Sequence, residues 1–241
     1  MSESLPANSA NKDTTTRALG VVLVVALLCA LLVSTVAVGL RPLQQANIEA
    51  ERIAQLVLAA LVDIGEAQTI DRLEAQTIHL SSGLDASHSD TLSGDSVDIP
   101  AEADYAGIQR RSAYMQIYLV RDSGGAIELI ILPVSGRGYQ STLRAWLVIS
   151  GDTRRVRALK FFDQGETPGI GARIQEPAWE ALWQDAPIYD DNGIVRLGVR
   201  LHALSREDTS YLIDGISGAT RTNQGVDALI RFWLGEFGFG P

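Results

Sequence analysis

The first feature of the chain is a long apolar run near its N-terminus. Residues 19–40 read LGVVLVVALLCALLVSTVAVGL and contain no charged residue. At about 1.5 Å per residue this run makes a helix of about 33 Å, which is enough to cross a bilayer. A cleaved signal peptide is the alternative, but its apolar core is normally only about 7 to 15 residues long. The pattern predicts a polar tail over residues 1–18 and a retained transmembrane helix over residues 19–40.

Helical spacing continues beyond the apolar run and then ends. Residues 43–66 are rich in helix formers, with apolar residues at mostly helical intervals, and Pro42 can begin such a segment. We therefore predict a stalk helix over residues 41–66. Residues 67–109 form an acidic, serine-rich variable region. Because its carboxylates have no fixed ligand spacing, we expect most of it, residues 80–109, to be a solvated loop rather than a cation-binding tract.

The second half of the chain carries the pattern of a β-rich domain. Four segments rich in β-branched and aromatic residues form two pairs, each pair around a short turn that suits a hairpin. They are residues 114–120 with 126–132, and residues 143–150 with 155–162. Two successive hairpins predict an antiparallel sheet. A short helix is expected next, and further strands after it, at residues 176–184, 193–202 and 211–213.

The C-terminal segment has the pattern of an amphipathic helix. Val226, Leu229, Ile230 and Trp233 follow the i, i+3, i+4, i+7 spacing of a helix face that packs on a core. Helices and antiparallel strands therefore occupy separate runs of the sequence. This arrangement predicts an α+β fold for residues 110–241.

Composition excludes several function classes. The formal net charge of -9 gives no basic footprint for nucleic acid. A single cysteine, Cys29, excludes an intrachain disulfide, and His79, His88 and His202 are scattered without ligand spacing. We therefore expect no metal site built from cysteine and histidine.

A loop of small residues, DGISGATRT, joins the last predicted strand to the last helix. Thr220 lies close to the start of that helix, where free backbone N–H groups and the helix dipole favour an anion. Taken alone, the loop has two interpretations. It is a plain strand-to-helix turn in which Thr220 or Thr222 acts as the N-cap, or it is a site that carries a phosphate near Thr220.

Two other segments of the sequence, together with the loop itself, support this second interpretation. Residues 214–220, D-G-x-S-G-A-T, resemble the flavinylation motif of the FMN-binding domain family, and residues 165–174, GETPGIGARI, resemble that family's E-T-P-G loop. Residues 133–142, PVSGRGYQST, together with the single membrane anchor, resemble the C subunits of Na⁺-translocating NADH:quinone reductases. The G subunits of Rnf-type electron transport complexes, which share the first two motifs, are the close alternative. The family often has an aromatic residue where this chain has Gln140, and the neighbouring Tyr139 is the candidate substitute.

The resemblance implies how the small-residue loop is used. A flavin transferase, which binds FAD and a metal and releases AMP, joins FMN through its phosphate to the threonine that corresponds to Thr220. Ser217, Gly218 and Ala219 are expected to let the segment enter the transferase and to lie next to the cofactor. Asp214 and Gly215 complete the motif, and Asp214 either assists that encounter or caps a turn.

The E-T-P-G loop supplies the other candidate contacts to FMN. Thr167, Gly169 and Ile170 are predicted to contact the ring or its ribityl chain, because a Pro-Gly loop brings N–H groups close and Ile170 offers an apolar face. Glu166 is either a further ligand contact or a structural carboxylate. The tryptophans of the predicted 176–184 helix, Trp179 and Trp183, are spaced as i and i+4 and are expected in the core rather than on the flavin.

The resemblance also implies a role and a location. The chain is expected to be the electron-carrying flavoprotein subunit of a six-subunit, membrane-bound Na⁺-translocating NADH:ubiquinone oxidoreductase. No complete active site is expected in this chain alone, because the sequence has no nucleophile elbow, P-loop or complete G-x-G-x-x-G. Charge leaves the membrane orientation nearly tied, whereas the family places the tail in the cytoplasm and the domain in the periplasm of a bacterial inner membrane. A membrane-tethered flavin module that senses or regulates is the alternative.

Overall fold

The computed structural model describes residues 17–31, 33–35, 73–86, 95–200 and 210–240. The chain divides into two compact units, Met1–Glu51 and Arg52–Pro241. Within the first unit, helix α1 (Arg17–Thr35) is long and apolar enough to cross a membrane by length and composition. The predicted span therefore has a helix over most of its length. The last residues of that span and the predicted stalk helix, residues 36–66, lie outside the described residues.

The second unit contains nine strands and two helices among its described residues. The strands are β1 (Leu73–His79), β2 (Ser96–Asp98), β3 (Arg110–Ser112), β4 (Tyr114–Arg121), β5 (Ile127–Arg137), β6 (Thr142–Ser150), β7 (Val156–Asp163), β8 (Gly198–Arg200) and β9 (Leu212–Asp214). The helices are α2 (Pro177–Glu180) and α3 (Thr220–Trp233), and 3₁₀ turns lie on either side of α2 at Gly171–Gln175 and Ala181–Trp183.

The predicted antiparallel sheet is present. Five strands pair in the order β1-β4-β5-β6-β7, and every neighbour in the sheet is antiparallel. The α+β prediction is therefore confirmed. The two predicted hairpins, β4 with β5 and β6 with β7, are joined by the turn between β5 and β6, so the four strands form one continuous meander.

The predicted solvated loop is wrong in part. Strand β2 lies in this region and pairs with β3, which follows it, and Ile99 and Ala106 are buried in the main core. Strand β1, which composition did not reveal, begins the sheet through its pairing with β4. The physical reason is that a few apolar residues, spaced among acidic ones, are enough to fix a short pair of strands against a larger core.

Two further sequence predictions are corrected in length. The strand expected at residues 193–202 is observed only as β8, which pairs in parallel with β9, while residues 201–209 lie outside the described part. The helix expected at residues 176–184 is a single α-helical turn, α2, followed by a 3₁₀ turn. Trp179 and Trp183 on these turns are buried in the core, as predicted, with ring centroids 5.5 Å apart.

The main core lies between one face of the sheet and helix α3. Alternate residues of β6 point to opposite faces, so Leu143, Ala145 and Leu147 belong to the main core while Trp146 and Val148 belong to a second apolar cluster. The stripe predicted for the last helix is buried in the main core: Val226, Leu229, Ile230 and Trp233. The indole Nε1 of Trp233 also donates to the Ser135 carbonyl of β5 over 2.6 Å.

Helix α3 approaches the end of β5 very closely. A Cβ placed on Gly225 would lie 2.5 Å from the Arg137 carbonyl oxygen and 3.0 Å from the Gly138 Cα. A Cβ on Gly136 would likewise lie 3.0 Å from the Leu229 Cβ. This contact places the start of the helix beside the turn that joins β5 to β6.

Gly225→Ala is expected to destabilise the protein, although alanine has a higher helix propensity than glycine. In an open helix alanine is favoured over glycine by about 1 kcal/mol. Here the added methyl would overlap the β5 backbone, which costs about 1–3 kcal/mol. Thermal unfolding followed by tryptophan fluorescence should show a lower midpoint, whereas Gln224→Ala at the exposed neighbouring position should stay near the wild type. A Gly225→Ala variant as stable as the wild type would contradict the close approach.

Candidate functional site

The small-residue loop has structural reasons for its composition. A Cβ on Gly215 would lie 2.6 Å from the Arg200 carbonyl oxygen and 2.8 Å from the Asn223 Nδ2. Gly218 has a φ of 82°, a left-handed conformation that residues with a side chain rarely adopt. Ala219 is 4% exposed, so a larger side chain has no room there. The loop geometry therefore requires small residues at three motif positions, independently of any enzyme that modifies the loop.

A buried asparagine closes this loop onto the helix. The Asn223 Oδ1 accepts a hydrogen bond from the Ile216 N–H over 3.0 Å, and its Nδ2 donates to the Ile216 carbonyl over 2.9 Å. The N-cap of α3 is Ala219, with no side-chain cap, so the interpretation of Thr220 or Thr222 as the N-cap is wrong. Thr220 is the first helical residue and its side chain is exposed.

A buried carboxylate, Glu166, joins the three motifs. It is 4% exposed and accepts hydrogen bonds from three backbone N–H groups of the β5–β6 turn and from one hydroxyl. The backbone donors are Tyr139 (3.2 Å, to Oε2), Gln140 (2.9 Å, to Oε1) and Ser141 (3.2 Å, to Oε1). The hydroxyl is that of Thr222, whose Oγ1 donates to Oε2 over 2.6 Å. These contacts favour the structural role for Glu166.

The ionisation of Glu166 follows from the balance of burial and hydrogen bonding. Burial raises the pKa of this carboxyl, because it disfavours the charged form. The hydrogen bonds from Thr222 and from the three backbone N–H groups outweigh burial and lower the pKa below its ordinary value. Glu166 is therefore a carboxylate at neutral pH, with its charge distributed over four donors.

Two motif glycines leave space for this carboxylate and its partner. A Cβ on Gly138 would lie 2.6 Å from the Glu166 Oε1, and a Cβ on Gly171 would lie 2.6 Å from the Thr222 Oγ1. The S-G-R-G segment (residues 135–138) and the E-T-P-G loop thus contact the start of α3 at the same point. The three motifs that are separate in the sequence form one cluster in the fold.

The predicted contact residues lie on the surface of this cluster. Thr167, Gly169 and Ile170 are exposed, and Ile170 is exposed over 46% of its surface despite being apolar. Ser217 and Gly218 are exposed beside Thr220.

The aspartate that begins the loop is held by two contacts. The Asp214 carboxylate pairs with Arg200 (Oδ1 to Nε, 3.3 Å), and its backbone carbonyl accepts from the Trp179 Nε1 over 2.9 Å. These contacts anchor the beginning of the loop to β8 and α2.

The roles of some residues of the site were not identified from the sequence. Thr222 and Asn223 are polar residues on the buried side of α3, and polar residues within an apolar helix face were the signal that could have shown their role. Arg221 lies over the ring of Tyr139, with its Cζ 5.2 Å from the ring centroid. Among the described residues, no group of three or more His, Cys, Asp or Glu side chains is placed to hold a metal ion.

Glu166→Gln tests whether the hydrogen bonds of this carboxylate hold the three motifs together. One carboxylate oxygen becomes an NH₂ group that faces two donors, which leaves them without an acceptor at a cost of about 1–3 kcal/mol at pH 7. Because the folded pKa is lowered, the stability that the wild-type carboxylate contributes is present above the unfolded pKa of about 4.3 and is lost as the pH falls below it.

The difference in unfolding midpoint between the wild type and Glu166→Gln should therefore shrink from pH 7 to pH 4 and below. Glu176→Gln is the control, because this exposed carboxylate pairs only at the surface with Arg173. A constant difference across this pH range would show that the Glu166 carboxylate does not hold the site together.

Comparisons with known proteins agree with this clustering. A family model described as the FMN-binding domain matches residues 138–235, a range that contains the Glu166 cluster and the Thr220 loop. The chain is 35% identical to the C subunit of the Na(+)-translocating NADH-quinone reductase of Pseudomonas aeruginosa, over 95% of this chain and 95% of that protein. It is 33% identical to the protein of the same name from Yersinia pestis, over 96% of this chain and 92% of that protein.

Solved structures show the same fold. The structure of NqrC from Shewanella oneidensis matches with a TM-score of 0.68 at 24% identity, over 80% of this chain and 95% of that chain. The structure of the corresponding protein from Parabacteroides distasonis matches with a TM-score of 0.57 at 24% identity, over 81% of this chain and 93% of that chain. The relatives from Pseudomonas aeruginosa and Yersinia pestis are at least 33% identical over at least 95% of this chain, and they show that the chain belongs to the family of C subunits of Na⁺-translocating NADH-quinone reductases.

Proposed function

We propose that the chain carries FMN, esterified through its phosphate to Thr220, and passes electrons within a Na⁺-translocating NADH:quinone oxidoreductase. The observation that carries the proposal is the flavinylation motif at the exposed start of α3, joined through Glu166 to the other two family motifs. The match to the FMN-binding domain and the names of the relatives support the cofactor and the complex.

The residues at the start of α3 fit an esterified phosphate. The Thr220 side chain is exposed, so its hydroxyl is open to a transferase. The first N–H groups of a helix have no acceptor within the helix, and together with the helix dipole they favour a negative charge beside Thr220. In the attachment step the Thr220 oxygen forms a P–O bond and loses its proton, while the pyrophosphate bond of FAD breaks and AMP leaves.

The exposed E-T-P-G loop fits the rest of the cofactor. Ile170 offers an exposed apolar side chain, and Thr167 and Gly169 offer polar groups beside it. Since the Glu166 hydrogen bonds fix this loop relative to α3, the ring and its attachment point would keep a fixed spacing. When bound, FMN supplies one- and two-electron redox chemistry, and the protein tunes it through packing, hydrogen bonds and charge.

The family assignment supports a proposed location and set of partners. We propose that the domain lies on the periplasmic side of a bacterial inner membrane, anchored by α1, in a complex of six subunits. NADH oxidation and quinone reduction would take place in other subunits. Ser217, Gly218 and Ala219, with Asp214 and Gly215, form the segment that the flavin transferase would recognise before the complex is complete.

Thr220→Val tests the attachment site. The substitution keeps the β-branched shape and nearly the same volume but removes the oxygen. After co-expression with the flavin transferase and denaturation, the wild type should fluoresce in the gel and be heavier by one esterified FMN. The variant should show neither signal.

Thr222→Ser is the matched control for this experiment. It retains the hydroxyl that donates to Glu166, so labelling should continue, whereas a valine there would also remove that buried hydrogen bond. Covalent flavin on Thr220→Val would refute the attachment site. A wild type that never takes flavin would refute the proposed function.

The orientation is tested with reporters fused after Pro241. Pro241 should lie on the same side of the membrane as the domain, because α1 is the one candidate span among the described residues. If the domain is periplasmic, a reporter active only in the periplasm should be active, and one active only in the cytoplasm should be silent. The opposite pattern would contradict a periplasmic domain.

A further inference from the structure

A polar groove lies along α3 beside the Thr220 loop. Its volume is about 470 Å³, and its lining includes Tyr105, Arg137, Tyr139, Arg221 and Gln224. Residues four apart lie on the same side of a helix, so Thr220 lies one turn from Gln224, which lines this groove. The groove therefore lies within one helical turn of the proposed attachment point.

The groove carries positive charge that the described residues do not neutralise. Neither the Arg137 nor the Arg221 guanidinium pairs with a carboxylate within the described part of the chain. The one carboxylate of the lining, Asp104, is bound by the backbone N–H groups of Ile108 and Gln109, each at 2.7 Å. The lining therefore has two cations and one carboxylate, and that carboxylate already accepts two backbone N–H groups.

The ring of Tyr139 restricts the position of the Arg221 guanidinium. Its Cζ lies 5.2 Å from the centroid of the Tyr139 ring, within the range of a cation–π interaction. The Tyr139 N–H donates to the Glu166 Oε2 over 3.2 Å, so the buried carboxylate also fixes the backbone that carries this ring. A guanidinium that contacts a ring through its face keeps N–H groups at its edge for a phosphate.

We infer that Arg221 binds the phosphate of the flavin esterified to Thr220, and that Tyr139 positions Arg221 for this contact. The inference rests on the proposed function. A phosphate that joins two carbon chains as a diester retains one negative charge, and Arg221 is the next residue after the esterified oxygen. Arg221 is therefore a positioning residue for the cofactor, because it restrains the phosphate from which the ribityl chain extends.

The test uses the full-length protein, labelled with FMN by co-expression with the transferase. Intact mass gives the attachment, the ³¹P NMR resonance reports on the surroundings of the phosphate, and flavin fluorescence anisotropy reports on the mobility of the ring. We expect Arg221→Gln to retain attached flavin, to shift the ³¹P resonance and to lower the anisotropy. Arg221→Lys should change the ³¹P resonance and the anisotropy less than Arg221→Gln does, because the charge remains but the planar contact with Tyr139 is lost.

Two further variants separate this role from a general effect of charge or folding. Tyr139→Leu keeps Arg221 but removes the aromatic ring that contacts its guanidinium. It should shift the ³¹P resonance in the same direction as Arg221→Gln, by a smaller amount. Arg154→Gln removes an exposed arginine from the β6–β7 turn and should leave both signals unchanged. If Arg221→Gln takes no flavin, the ³¹P resonance and the anisotropy of Tyr139→Leu, compared with those of the wild type, test the inference instead.

Two negative results have different meanings. Flavin attached to Arg221→Gln and Tyr139→Leu with the wild-type ³¹P resonance and anisotropy would overturn the inference but leave the proposed function intact. A wild type that carries no covalent flavin would overturn the proposed function, and the inference with it.

Discussion

The site depends on one buried carboxylate. Glu166 accepts from the Thr222 hydroxyl and from three consecutive backbone N–H groups of the β5–β6 turn, at distances between 2.6 and 3.2 Å. A buried charge is tolerated only when its hydrogen-bonding capacity is filled, and here the donors come from two separate elements. The same hydrogen bonds that keep Glu166 ionised therefore also hold the turn and the last helix together.

Around this carboxylate the fold combines a fixed framework with an exposed reactive group. Gly225 lets α3 approach β5, and Asn223 ties the small-residue loop back onto the helix. The side chain of Thr220 nevertheless points to solvent at the start of the helix. A group that another enzyme must reach, and that must then keep a cofactor in a fixed place, needs both accessibility and a rigid base.

Sequence patterns were enough for the parts of the fold that repeat a regular period. The meander from β4 to β7 and the apolar stripe of α3 follow directly from alternation and helical spacing. Contacts between distant segments were not predictable in this way, because the periodicity of one segment does not show which other segment it contacts. Glu166 remained ambiguous between two roles. Thr222 was considered only as one of two possible N-caps, because its hydrogen-bond partner lies 56 positions away in the chain. Strand β1 was not predicted, because residues 67–109 were recognised only by composition, as an acidic, serine-rich variable region.

The central claim is that Thr220 carries the flavin, and peptide mapping of the native protein tests it most directly. Trypsin cleaves after arginine, so Arg206, Arg221 and Arg231 divide the relevant region into residues 207–221 and 222–231. Thr220 and Thr222 therefore fall on different peptides. We predict one esterified FMN on residues 207–221, assigned to Thr220 by fragmentation, and an unmodified second peptide. Flavin on residues 222–231, on Ser217, or on neither peptide would contradict this assignment.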